Sequence, residues 1–181
     1  MKTIFFLIIT FLVSNAINAQ SIYTTKKGHM IILSELDNKN VKAESHKMSL
    51  FLDYRNKVIS GSIDIKSLLS DNDEINSKIK NINEPIIIKF TGSIPDTDFM
   101  QAEHPPINFK WFVNVVFQDT NINLTLNATI QHMTQEAIYS CMFSATGEIL
   151  VSEMGLSNVF PELDEHLQIQ FAQLLLLPEK N

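Results

Sequence analysis

Cysteine is nearly missing from this chain: its 181 residues hold one, Cys141. A lone thiol cannot close an internal disulfide, so a cross-linked scaffold is excluded and stability must come from packing. Basic residues are outnumbered by acids, 14 to 20, for a net charge of −6. With no basic stripe to release counterions, this mild acidity argues against nucleic acid and anionic membrane surfaces as partners. There is no G-x-S-x-G, no glycine-rich phosphate loop and no cysteine–histidine signature. The histidines His29, His46, His104, His132 and His166 form no HxH or HxxxH pair, and each reads as an ordinary strand-end or surface residue, so no metal is expected. Asp71, Asp73 and Glu74 lack the glycine and closing glutamate of a calcium loop, and Asp96 and Asp98 read as loop carboxylates. These absences lower the enzyme reading, although triads assembled in space leave no local motif. No repeat, low-complexity tract or linker breaks the chain.

Long apolar runs are also scarce. One stands out, IFFLIITFLV at residues 4–13, behind Met1-Lys2 and ahead of SNAINA. It is too short for a bilayer span, which takes roughly twenty residues. The pattern predicts a signal peptide over residues 1–19, cut after Ala19 or after Ala16, and hence a periplasmic or secreted protein with no integral span after cleavage. No lipobox cysteine follows the run, so a lipid anchor is not expected. Residues 20–181 are then one domain, able to bury roughly two-thirds of its unfolded surface.

What the chain does have is alternation. In INFKWFVNVVF (107–117) the apolar residues fall on odd positions, and in NINLTLNATIQ (121–131) on even ones. A period of two marks a strand with one buried face, and two such runs across a short polar link predict an antiparallel hairpin. Further strands are predicted at 20–25, 29–34, 41–54, 58–66, 86–92, 133–145 and 166–177, with turns at 26–28 and 53–57. The run 29–34, apolar on both faces, predicts a strand covered on both sides. A parity shift inside 41–54 predicts a bulge near His46-Lys47. Residues 70–82 predict one short helix, with Ser70 or Asp71 as its cap and Ile75, Ile79 and Ile82 at helical spacing. Residues 93–106 and 157–165 read as loops. Gly61, on an inward position, either relieves crowding or leaves room for a ligand, and crowding is the plainer account. Cys141, at strand spacing from Tyr139 and Phe143, reads as a buried, inert thiol. The fold class is therefore all-β, and its inward positions are rich in rings. Such rings can fill a core, or they can wall a cavity; eight-stranded barrels do either, and the pattern alone favours the filled core.

The stretch YTTKKGHMIILSELDNKNVKAESHKMSLFLDYRNKVISGSIDIKSL resembles the N-terminal part of YceI-like proteins. The matching pieces are Tyr23-Thr24-Thr25, Lys27-Gly28, residues 41–45, 53–57 and 60–68, and AEHPPINFKW and HLQIQFAQLLL are similar to later family segments. The chain departs from the pattern at 70–82 and 121–124, and no side chain transfers as a headgroup contact. The resemblance implies an extended antiparallel, lipocalin-like β-barrel with one or two short helices. It also implies non-catalytic binding of a long amphiphilic lipid (isoprenoid, quinone or fatty-acyl), with no other cofactor. The residues expected to line its cavity are Phe90, Phe109, Trp111, Val113, Phe117, Leu126, Phe143 and Phe171. Beyond that hydrophobic ligand, the remaining partner expectation is a homodimer. The rival reading is a closed-core barrel that acts through its surface.

Overall fold

The computed structural model describes residues 22–95, 103–118, 120–135, 138–157, 160–161 and 163–179. The signal peptide expected over 1–19, the loop carboxylates Asp96 and Asp98, and the side chain of Tyr139 lie outside them.

Nine strands follow one another: β1 (Ile22–Leu36), β2 (Lys39–Asp53), β3 (Val58–Asp64), β4 (Leu69–Ser70), β5 (Ile87–Ser93), β6 (Ile107–Phe117), β7 (Thr120–Gln135), β8 (Ile138–Leu150) and β9 (His166–Pro178). Every pairing is antiparallel, and the order β1-β9-β8-β7-β6-β5-β3-β2 closes through a β1–β2 ladder. The result is an eight-stranded closed barrel, with the two-residue β4 as a short appendix on β2. One α-helix, α1 (Asp73–Lys80), and a 3-10 turn at Ile65–Ser67 complete it. Closure spares the barrel the two open edge strands of a flat sheet, the usual hazard of a β-sheet.

Local chemistry explains the turns. Asp37 and Asn38 both hold positive φ, 51° and 59°, which suits a two-residue hairpin and residues that tolerate the left-handed region. The side chain of Asp53 accepts from the backbone N–H groups of Arg55 and Asn56, at 2.9 and 3.2 Å, and so ties the β2–β3 turn. Pairing along β6–β7 is uninterrupted from Ile107↔Ile130 to Phe117↔Thr120, as the two opposed alternations require.

Four expectations change. Residues 26–28 are no turn: β1 runs straight through them and absorbs the extra residue as a bulge between Thr25 and Gly28. A second shift, between Gly28 and Met30, places the compensating extra residue at His46-Lys47 of β2, where the parity shift predicted it. The run 29–34 is not covered on both sides, since Leu33 on the outer face is 38% exposed. Helix α1 is capped by Asn72, whose side chain accepts from the N–H groups of Glu74 and Ile75; Asp71 instead accepts from the backbone of Lys42. Finally, β7 continues to Gln135, so residues 133–135 belong to it rather than to the next strand.

Candidate functional site

The strands run up and down, so each inward residue has a height along the barrel as well as a face. One end holds the β1–β2 hairpin, α1 and the 151–165 segment between β8 and β9; here it is called the capped end. The far end holds the β2–β3 turn and the start of β6.

The interior of the far half is filled. Trp111 and Phe143 are both 0% exposed and meet edge-to-face with ring centroids 5.3 Å apart. Met48, Leu50, Leu52, Ile59 and Leu176 are equally buried around them. Above this layer Phe90 and Phe171 form a second pair, centroids 5.2 Å apart, each within 6.3 Å of the Trp111 ring. Gly61 makes room for that pair: a Cβ there would overlap the ring of Phe90 and the carbonyl oxygen of Ser49. Its role is relief of crowding.

Above Phe90 and Phe171 the capped half is hollow. A cavity of about 150 Å³ lies there. Its walls are Met30, Ile32, Ile63, Val113, Val115 and Leu124, with further aliphatic neighbours, and the surface they offer a ligand is carbon throughout. Two covers close the top. Helix α1 turns Ile75 and Ile79 inward, and the 151–165 segment contributes Met154, Leu156, Phe160 and Leu163. The covers meet where the Lys78 ammonium sits 5.3 Å from the centre of the Phe160 ring.

Of the eight residues expected to line a cavity, Phe90, Val113, Leu126 and Phe171 border this one. Trp111 and Phe143 lie in the filled layer beneath it. Phe117 is buried near the capped rim and Phe109 is half-buried toward the far end, and neither forms part of the cavity wall. The sequence reading of one short helix lying across the rim or side of the sheet matches α1. It missed the second cover, because residues 157–165 were legible only as a loop or short turn of helix.

The histidines also differ from expectation. At the far end His132, 1% exposed, joins Tyr54 and His104 in a hydrogen-bonded chain. His104 Nδ1 lies 2.7 Å from the carbonyl oxygen of Pro105, which can only accept, so that nitrogen carries a proton. With both rings neutral, His104 Nε2 then accepts from His132 Nδ1 at 2.7 Å, and His132 Nε2 accepts from the Tyr54 hydroxyl. One proton direction satisfies the whole chain. Burial, helped by His104, lowers the His132 pKa to about 4, so the ring is neutral near pH 7. Beside it, burial pushes the Cys141 thiol up to about 12, against a smaller opposite effect of Tyr54. A thiol held protonated is a poor nucleophile.

No family model and no curated protein sequence matches the chain. Solved structures do. A polyisoprenoid-binding domain from Saccharophagus degradans superposes with a TM-score of 0.70 at 9% identity, over 88% of this chain and 99% of that one. BcnA of Burkholderia cenocepacia gives 0.58 at 12% identity, over 84% and 97%. The Campylobacter jejuni YceI protein gives 0.52 at 16% identity, over 81% and 90%. At such identities the likeness is one of architecture, and by that measure the chain has the YceI-like barrel fold.

Proposed function

We propose that the hollow half of the barrel binds the hydrocarbon tail of an amphiphilic lipid, isoprenoid, quinone or fatty-acyl, and performs no chemistry on it. The single observation behind this reading is the carbon-walled cavity above Phe90 and Phe171. A dry cavity of roughly 150 Å³ in another protein takes up benzene or xenon, so the space as it stands suits about one isoprene unit. Burying five such carbons is worth about 4 kcal/mol at ~0.8 kcal/mol per methylene. Ligand pockets usually reach 300–1,000 Å³, so the rest of a long tail must displace side chains or leave through the top. Met30 and Met154 are wall residues that re-pack easily. The seam between α1 and the 151–165 segment is the proposed way in, because Ile75, Ile79, Met154 and Phe160 beside it are apolar and their hydrophobic contacts are non-directional.

The neighbour from Saccharophagus degradans is described as polyisoprenoid-binding, which favours an isoprenoid over a straight acyl chain. The chain's N-terminal pattern supports an exported carrier, working where such lipids pass between membranes. Among the described residues no helix is long and apolar enough to cross a membrane.

Native mass spectrometry of freshly purified protein is the test. A stoichiometric lipid adduct that is lost on delipidation and restored by adding a polyprenol supports the carrier. A bare mass that no added lipid shifts supports the rival, a closed barrel acting through its surface.

A further inference from the structure

Outside the barrel, at the paired bulges of β1 and β2, three potential metal ligands converge. Met30 pairs with Ser45, so His29 and His46 are the next residues on their strands and face each other across the ladder. Glu44 precedes His46 by two and therefore shares its outward face. The imidazoles stack with centroids 4.0 Å apart and planes 21° apart. His29 Nε2 lies 3.2 Å from Glu44 Oε2, and one ligand atom from each of the three residues falls within 4.8 Å of the others.

We propose that His29, Glu44 and His46 bind a divalent transition-metal cation of the zinc class on the outer wall of the barrel. Bonds of about 2.0–2.1 Å in a tetrahedral site place neighbouring ligand atoms about 3.3 Å apart. The His29–Glu44 edge already has that length. His46 is exposed, and a rotation of its ring brings the third donor in. Two imidazole nitrogens and one carboxylate oxygen match zinc; calcium and magnesium favour all-oxygen sites. The fourth position falls to water. A bound ion would tie β1 to β2 at the place where two bulges interrupt their ladder.

Lys42 gives the proposal its sharpest consequence. Its Nζ sits 3.2 Å from Glu44 Oε2, the oxygen a metal would take, so the ammonium competes with the ion for one acceptor and repels it. The experiment is calorimetric titration of the tag-free full chain with ZnCl2 at pH 7.5. The expected result is one site per chain, weakened at least tenfold by H29A, H46A and E44Q, tightened several-fold by K42M and unchanged by H166A. Unfolding midpoints of the variants, measured without metal, show whether each is folded. Zinc should also raise the midpoint of the parent protein, because the folded state alone assembles the site. The proposal is overturned if the parent binds no zinc, or if binding persists in H29A and H46A or disappears in H166A.

Discussion

The two halves of the barrel are built from the same alternating strands, yet one is solid and the other hollow. The far half is packed with Trp111, Phe143, Met48 and leucines. At the same facing positions a few residues higher, the capped half offers Val113, Val115, Leu124 and isoleucines, which leave space between opposite walls. The seals differ as well. The Tyr54–His132–His104 chain is directional and centred on the buried His132, which left unpaired would cost the full desolvation of a polar group. The covers of the capped end lay apolar side chains over the cavity and share a cation–π contact, worth about 0.5–1 kcal/mol when exposed. An end that yields and an end that holds are what a tail-binding barrel needs.

The comparison breaks most visibly if truncations cost the same in both halves. Phe143→Ala should destabilise by about 3–5 kcal/mol, while Leu124→Ala, which borders existing space, should fall near 2 kcal/mol, the bottom of the Leu→Ala range. Urea unfolding midpoints measure both, and equal losses would remove the distinction between solid and hollow.

Acid sharpens the contrast of the seals. His132 titrates at about 4 in the folded protein and near 6.5 when unfolded. The unfolded chain therefore binds the extra proton first, and stability is present above pH 6.5 and lost as pH falls toward 4, by up to about 3 kcal/mol. Glu44, with a lowered carboxyl, adds the same sign only below its ordinary 4.5. Unfolding midpoints between pH 7 and 5 should thus slope in the parent and flatten in His132→Leu. A slope that survives the substitution assigns the acid sensitivity elsewhere.

Gly61→Ala tests the floor of the cavity. The new methyl meets both the Phe90 ring and a backbone oxygen, and overpacking of this kind costs about 1–3 kcal/mol. Phe90 is expected to be pushed into the cavity, so tail affinity should fall along with stability. The smallest effect on stability belongs to Leu124→Trp, which fills space that is already open. Its unfolding midpoint should move by the equivalent of about 1 kcal/mol or less, while displacement of a fluorescent fatty acid weakens more than tenfold. Undiminished binding would put the lipid somewhere else.

Much of the wall was legible in the sequence, because parity reports which face of a strand is buried. The 107–131 hairpin and the bulge at His46-Lys47 both follow from it. Height along the barrel is not legible. Trp111 and Val113 share a face and stand about 7 Å apart along one strand, yet only Val113 borders the cavity. Phe109 and Phe117 share their parity without reaching the cavity wall. The histidine chain was invisible for a related reason. His104 and His132 are 28 positions apart, and only the pairing of β6 with β7, where Ile107 meets Ile130, brings them together. The second cover went unread because 157–165 carries no periodicity, and its Phe160 acquires an inward role only once closure gives the barrel a top.

Co-crystallisation with a fatty acid brominated at its tail end tests the central claim most directly, since anomalous scattering locates the bromine without reference to the rest of the chain. The expected peak lies above Phe90 and Phe171, against Val113 and Leu124, with the carboxylate toward the seam of α1 and the 151–165 segment. A peak beneath that aromatic pair, on the outer wall, or nowhere in the barrel would contradict the account.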